Sequence, residues 1–400
     1  MKKIVFVLGN YKNGGMAMRA TNLANEFIKH GFAVDILATK DVGESFFSKN
    51  DNINIISLKE FNHSNKSQTF SKDKTKRNRK IKSIKRLRYF TKYIRGIDKT
   101  LETKIKLLQK GDELRKYFLN TKPDIVVPFG LSYLEPVVSA TQGLKCKLVY
   151  AEKNAPEIEF PQKETEKYHY YISLLKKLDA VIIQTEKSKQ FFAYELNNIH
   201  VINNPIKQNL PLSYQGVRQK TIVNFCRMSP QKNLDLLIDA FAKLNNDYPD
   251  YTLKIYGNTV EQLELEYKEN TISKVQKIGL DDCVFVLPPS ADVHQKIIDC
   301  AMFVSSSDYE GLSNSMIEAM AIGLPCICTD CLGGGTREVM TDRVNGLIVP
   351  TNDVDALYHA MKEFIDNPEF AEQCGRNASK IRGKLDVKRI AQQWLDIIEK

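Results

Sequence analysis

Two glutamates, Glu310 and Glu318, stand eight residues apart in Ser305-Ser306-Ser307-Asp308-Tyr309-Glu310-Gly311-Leu312-Ser313-Asn314-Ser315-Met316-Ile317-Glu318. Gly311 and Ser313 keep Glu310 in a loop, while a helix beginning near Asn314 takes Glu318 into its first turns. Carboxylates offset in this way can accept hydrogen bonds from two separate sets of hydroxyls. The helix start between them can receive a phosphate, because its free N–H groups and its dipole both favour an anion. A plainer reading makes Glu318 the capping-box partner of Ser315 and Glu310 a surface acid. Spacing alone does not choose between the two.

Arg227 and Lys232 follow the apolar run Thr221–Cys226 in Arg227-Met228-Ser229-Pro230-Gln231-Lys232. Two cations at the end of a strand suit a diphosphate, and the planar guanidinium fits phosphate oxygens, although a pair of solvated charges would read the same. The first loop, Gly9-Asn10-Tyr11-Lys12-Asn13-Gly14-Gly15-Met16, is a weaker signal of the same kind. Its glycines allow close approach of an anion to a helix start, but it fits neither of the common nucleotide-loop patterns, and a tight turn explains it equally well. Asp353-Val354-Asp355 could suggest a metal site, yet it sits at a helix start where acids suit the dipole, so no metal is expected there. Cys326, Cys328 and Cys331 are read as packing residues, since strand alternation puts Cys326 and Cys328 on one face.

These residues need rigid elements to position them. Short runs rich in Val and Ile alternate with helix-period stretches along most of the 400 residues, the pattern of an α/β chain with parallel sheets. In the first half, strands are predicted at Lys3–Leu8, Phe32–Ala38, Ile53–Leu58, Asp124–Pro128, Lys147–Ala151, Ala180–Gln184 and His200–Ile202. In the second, they are predicted at Thr221–Cys226, Tyr251–Tyr256, Cys283–Leu287, Met302–Ser305, Cys326–Thr329 and Gly346–Val349. The expected organisation is two Rossmann-like, doubly wound domains facing across a cleft. Residues 1–205 form the first and 220–385 the second, with a linker at 206–219. A final helix over 386–400 packs back toward the first domain. Ligands of such sheets bind beyond the carboxyl ends of the strands, which here border the cleft between the two halves.

The net charge of +10 is concentrated in one place, because the insertion 66–100 carries 14 Lys and Arg against 2 acids. Apolar residues recur every three or so positions from Lys80 to Ile97, so this is read as a basic amphipathic helix able to lie on an anionic membrane surface. Lys80, Lys82, Lys85, Arg86, Arg88, Lys92 and Arg95 would make that contact; a solvated helix packed on its own domain is the alternative. No apolar run is long enough for a membrane-spanning helix, and Ile4–Leu8 is too short for a signal-peptide core, so a cytoplasmic location is expected.

The frame Tyr309-Glu310-Gly311 with Glu318-Ala319-Met320-Ala321, Gly323 and Pro325 resembles the donor-site signature of the retaining GT-B glycosyltransferases of family four, the group 1 family. Arg227 with Lys232, Asn345-Gly346-Leu347-Ile348-Val349-Pro350 and Gly14-Gly15 resemble the same family, in the same order along nearly the whole chain. The resemblance implies that Glu310 contacts the transferred sugar, Glu318 the ribose hydroxyls, Arg227 and Lys232 the diphosphate, and Gly15 its phosphate end. Gly14, Gly311, Leu312, Ser313 and Asn314 complete the donor site, and Glu310, Arg227 and Lys232 carry the catalytic role. Glu152-Lys153-Asn154-Ala155-Pro156 is similar to an element of capsule and exopolysaccharide transferases, which makes Glu152 and Asn154 acceptor-side residues. Two departures matter. Pro128-Phe129-Gly130 stand where many relatives carry a histidine, so no catalytic histidine is assigned. Gly257-Asn258-Thr259 and Leu287-Pro288-Pro289 replace usual glycine patterns where the base would bind.

What the resemblance implies is a retaining transferase moving a hexose or N-acetylhexosamine from a nucleotide diphosphate sugar, with UDP expected, to a growing, lipid-linked saccharide. No metal or other cofactor and no nucleic acid are expected. The enzyme would sit peripherally on the inner face of the cell membrane. The alternatives are a nucleotide-sugar epimerase, a transferase with a small soluble acceptor, or a nucleic-acid-binding protein using the basic segment.

Overall fold

Runs of Val, Ile and Leu without polar alternation suit strands buried on both faces, and each such run forms a parallel strand in the computed structural model. The structure describes residues 1–12, 14–43, 49–64, 82–84, 95–152, 154–259 and 262–400. The first series is β1 (Lys3–Leu8), α1 (Gly15–Lys29), β2 (Ala33–Ala38), β3 (Ile53–Ser57), α2 (Leu58–Ser64) and α3 (Arg95–Thr121). It continues with β4 (Ile125–Pro128), α4 (Leu131–Thr141), β5 (Lys147–Ala151), α5 (Pro156–Glu159), α6 (Glu166–Leu175), β6 (Ala180–Ile183), α7 (Glu186–Phe192) and β7 (Ile199–Val201).

The second series opens with β8 (Gln219–Arg227), α8 (Leu234–Asp247), β9 (Thr252–Asn258), α9 (Gln262–Lys277), β10 (Val284–Leu287), α10 (Val293–Ile297) and β11 (Cys300–Ser305). After these come α11 (Asn314–Ala321), β12 (Cys326–Thr329), α12 (Gly335–Val339) and β13 (Leu347–Val349). Four helices end the chain: α13 (Val354–Asp366), α14 (Pro368–Ser379), α15 (Ile381–Lys384) and α16 (Val387–Ile398).

Among the described residues the strands form one sheet in the order β3-β2-β1-β4-β5-β6-β7 and a second in the order β10-β9-β8-β11-β12-β13. The order reverses between β1 and β4 in the first sheet and between β8 and β11 in the second. Connections leave these neighbours in opposite directions, which opens a crevice at their carboxyl ends. The loops after β1, β8 and β11 are those that carry Gly14-Gly15, Arg227 with Lys232, and Glu310. Topology alone therefore gathers the chemistry-bearing loops.

The strands fall where the apolar pattern predicts, with ends moved by a residue or two. Leu58 starts α2 instead of ending β3, and β8 begins at Gln219, whose N–H donates to Asp299 O, inside the stretch read as linker. The rest of that stretch has no regular structure but is packed: Ile206 and Leu210 are buried and the Ile206 N–H donates to Leu385 O. One apolar cluster runs through both halves, joining Ala20, Leu23 and Phe27 of α1 to Met316 and Ile317 of α11 and to Ile390 and Trp394 of α16. Arg19 is buried within this contact, its guanidinium carbon 5.6 Å from the ring centres of both Phe129 and Trp394, and its Nη1 donates to Glu152 O at 2.9 Å. Burial lowers its pKa to about 10, against the pull of the Glu152 charge, so it stays cationic at neutral pH.

Candidate active site

The loops after β8 and β11 are joined by hydrogen bonds from both sides. Ser306 Oγ donates to Lys232 O at 2.9 Å, the Asp308 N–H to Gln231 O at 3.0 Å, and Gln231 Nε2 to Tyr309 O at 2.6 Å. Asn233, left-handed at φ 43°, caps α8 by accepting from the Leu236 N–H while its Nδ2 donates to Asp308 Oδ1 at 2.8 Å. These bonds bring Lys232 Nζ onto Glu310 Oε1, with side chains only 13% and 12% exposed. Ser307 Oγ donates to the same carboxylate oxygen at 3.1 Å. Burial by itself lowers the Lys232 pKa, but the charge and hydrogen bond of Glu310, helped by Cys226, outweigh it and hold the ammonium above its ordinary range.

A glycine-rich loop after β12 fits beneath Glu310. The Glu310 N–H donates to Leu332 O at 2.9 Å, and a Cβ on Gly333 would lie 1.9 Å from Glu310 O. At Gly335 a Cβ would lie 1.7 Å from Gly311 O, so side chains at either position would push the Glu310 loop away. Gly333 also has φ +94°, which an L side chain rarely adopts.

The two halves meet at two helix starts. A Cβ on Gly15, the first residue of α1, would come within 2.5 Å of Asn314 Nδ2, the first residue of α11, whereas Gly14 is exposed and open. Asn204 Nδ2 donates to Leu312 O at 3.2 Å and to Asn314 Oδ1 at 3.1 Å, and the Leu312 N–H donates to Gln184 Oε1 at 2.8 Å. Thr185 Oγ1 donates to Gly333 O at 2.8 Å. Gly311, Leu312 and Ser313 are thus buried parts of the seam between halves, and the Leu312 N–H is engaged by protein.

Glu318 lies in α11, as its sequence position predicts, but Ser313 is the helix cap and the carboxylate turns to His294. His294 Nε2 is 2.8 Å from Glu318 Oε2, with both side chains buried. Arg227 is exposed, its Nε 3.4 Å from Glu264 Oε1 and its Nη2 donating to Gln231 Oε1 at 3.3 Å, so it stands beside the Lys232–Glu310 pair and outside it.

Across the seam, Glu152 is 2% exposed, and its carboxylate accepts from Tyr150 Oη at 3.1 Å and from the Asn154 N–H at 3.2 Å. Asn154 Nδ2 donates to Glu159 Oε1 at 2.7 Å. Both residues shape the loop after β5, and the Glu152 carboxylate faces inward.

Lys82 is exposed; Lys80, Lys85, Arg86, Arg88 and Lys92, and the side chain of Arg95, lie outside the described residues. Asp353 caps α13 by accepting from the Ala356 N–H at 2.8 Å, and Asp355 pairs with Lys243, so both acids have structural work. Cys326, Cys328 and Cys331 are buried, and burial raises all three thiols.

Sequence reading did not single out His294, the Gly333–Gly335 loop, Gln184 or Asn204. The run Gly333-Gly334-Gly335 was a usable signal, since consecutive glycines between a strand and a helix mark close backbone approach. His294 carried none.

Residues 215–381 match the family model described as Glycosyl transferases group 1. Over 100% of both chains the sequence is 24% identical to an uncharacterized glycosyltransferase of Haemophilus influenzae. It is 25% identical to the N-acetylgalactosamine-N,N'-diacetylbacillosaminyl-diphospho-undecaprenol 4-alpha-N-acetylgalactosaminyltransferase of Campylobacter jejuni, across 63% of this chain and 70% of that one. Among solved structures, a TarM variant of S. aureus in complex with Fondaparinux, alpha-GlcNAc-glycerol and UDP superposes with a TM-score of 0.77 at 15% identity, covering 100% of each chain. HepE of Anabaena in complex with UDP and glucose superposes with a TM-score of 0.71 at 18% identity, again over 100% of each.

Lys232→Met or Glu310→Leu alone should destabilise the protein by roughly 3 kcal/mol, toward the lower end for removing one partner of a buried pair because both groups keep some contact with water. The double replacement should cost clearly less than the two added. Since the folded pKa of Lys232 is raised, the pair contributes fully below the ordinary lysine range and is lost as pH rises through the folded value. Urea unfolding of the four proteins at neutral and strongly alkaline pH checks this; additive single losses that do not change with pH would contradict it.

Proposed function

From a chain whose residues 215–381 are a glycosyl transferases group 1 domain on a GT-B fold, we propose a retaining transferase using a nucleotide diphosphate sugar, UDP-linked. The observation that carries this reading is the mostly buried Lys232–Glu310 pair at the switch point of the second sheet, one turn of chain from the α11 start. It sets a cation for a diphosphate beside a carboxylate for sugar hydroxyls. Lysine has three donors and a carboxylate about four acceptor positions, so each can keep its partner and still reach a ligand.

In the reaction the bond from the anomeric carbon to the diphosphate oxygen breaks while one to the acceptor oxygen forms on the same face. The acceptor proton passes to the departing diphosphate. The barrier then depends on stabilising the charge that builds on that diphosphate, the task of Lys232, of Arg227 and of the helix starts at Gly15 and Asn314. No metal is required in this scheme. Glu318 would accept from the ribose, and Gly14, Gly311, Leu312 and Ser313 would form the wall that excludes water. The transferred group is a hexose or N-acetylhexosamine.

The acceptor would enter past the loop shaped by Glu152 and Asn154. A growing, lipid-linked saccharide suits this side. Among relatives, the Campylobacter jejuni enzyme is named for a diphospho-undecaprenol acceptor. α3 runs back toward the amino end of β4, with Gly111 packed on Pro136 and Ser139 of α4. Its first residue lies about 24 Å upstream of Gly111 at 1.5 Å per residue, and the basic segment leads into it in sequence. No helix among the described residues is long and apolar enough to cross a membrane, so the contact would be peripheral, on the cytoplasmic face.

Thermal unfolding in EDTA with matched UDP, GDP and ADP tests the donor site. UDP at 100 times its Kd should add about 2.7 kcal/mol and raise the midpoint by several degrees, with GDP and ADP silent; no shift with UDP would contradict the donor assignment. Sedimentation with anionic liposomes at physiological salt tests the membrane contact. The wild type should pellet, and a variant with Lys82, Lys85, Arg86 and Arg88 changed to Gln should remain in solution; a wild type left in the supernatant would remove the membrane claim.

A further inference from the structure

Glu318 is buried yet short of hydrogen-bond donors. It is 6% exposed, and among the described residues its side chain meets the Nε2 of His294, 24 residues earlier in the chain and 2.8 Å from Oε2. An ionised carboxylate offers about four acceptor positions, and burying it without donors is costly. His294 fills one position. Oε1 and the second lone pair of Oε2 are left for further donors, which two neighbouring hydroxyls can supply.

The imidazole is held as firmly as the carboxylate. His294 is also 6% exposed, and the ring of Phe225 meets it edge-on, with centroids 5.5 Å apart and planes at 82°. Phe225 in turn packs on Phe303 of β11 at 5.3 Å. Phe225 lies in β8 two residues before Arg227, so the aromatic contact ties the imidazole to the strand that delivers the cationic loop.

We propose that His294 is a positioning residue for ribose recognition, donating its Nε2–H to Glu318 Oε2 and so holding the carboxylate toward the 2′- and 3′-hydroxyls of the donor. This rests on the nucleotide-sugar reading above and adds a specificity device to it. A site built to receive hydroxyls rejects an analogue that lacks one, because the buried acceptor is then left unpaired. The protein should accordingly discriminate ribonucleotide from 2′-deoxyribonucleotide, and His294 should set how strongly.

The test measures binding of UDP and of 2′-deoxyuridine diphosphate by calorimetry to the wild type, Glu318→Ala, His294→Leu and His294→Gln. The wild type should prefer UDP by roughly tenfold or more, the size of one charge-assisted hydrogen bond. Glu318→Ala should abolish the preference, and His294→Leu should cut it to threefold or less. His294→Gln, whose amide can still donate, should restore most of it. In turnover, His294→Leu should raise the donor KM more than it lowers kcat. If His294→Leu weakens both nucleotides equally and keeps the full preference, the histidine only packs and the inference is overturned. A wild type that binds both nucleotides alike would instead remove the ribose role of Glu318, and the inference with it.

Discussion

An ammonium and a carboxylate from loops 78 residues apart, both mostly shielded from water, must be paired or the fold loses several kcal/mol, and this constraint organises the second half of the molecule. Pairing Lys232 with Glu310 requires the loops after β8 and β11 to lie side by side, and the Gln231, Ser306 and Asp308 hydrogen bonds hold them there. It also requires the backbone beneath Glu310 to be approached closely, which only the glycines after β12 permit. Each of these features has a local cause. Together they leave Glu310 a single arrangement beside a fixed positive charge.

Why the pair sits where it does is a matter of topology. In both sheets the strand order reverses once, and the crevices at those reversals face one another across Gly15 and Asn314. Gln184, Thr185 and Asn204 of the first series hydrogen-bond to the backbone and side chains of residues 312–314 and 333. The apolar cluster joining α1, α11 and α16 makes the seam partly a continuous core. A ligand held between the helix starts would therefore touch both halves, which is what group transfer between two bound substrates demands.

The sheets were legible in the sequence because parallel strands buried on both faces read as unbroken apolar runs, and all of the predicted runs are strands. Their ends moved where a helix could start at once, as at Leu58, or where an exposed residue could still pair, as at Gln219. The positions of Lys232 and Glu310 between strand and helix, and of Glu318 within a helix, were legible from the flanking strand and helix patterns. Their partners were not. His294 sits in a five-residue helix whose short length gives no periodicity, and its bond to Glu318 spans 24 residues, so nothing local announces it. Glu152 looked available because it follows a strand, but Tyr150 and Asn154 lie close enough in the chain to turn its carboxylate inward.

A crystal structure of the protein with UDP and with an intact UDP-sugar would test the central claim most directly. The account predicts a diphosphate between the starts of α1 and α11 within reach of Lys232 Nζ, with the ribose hydroxyls on Glu318 and the sugar beside Glu310. A nucleotide bound elsewhere, or one in the crevice whose phosphates avoid Lys232 and both helix starts, would contradict it.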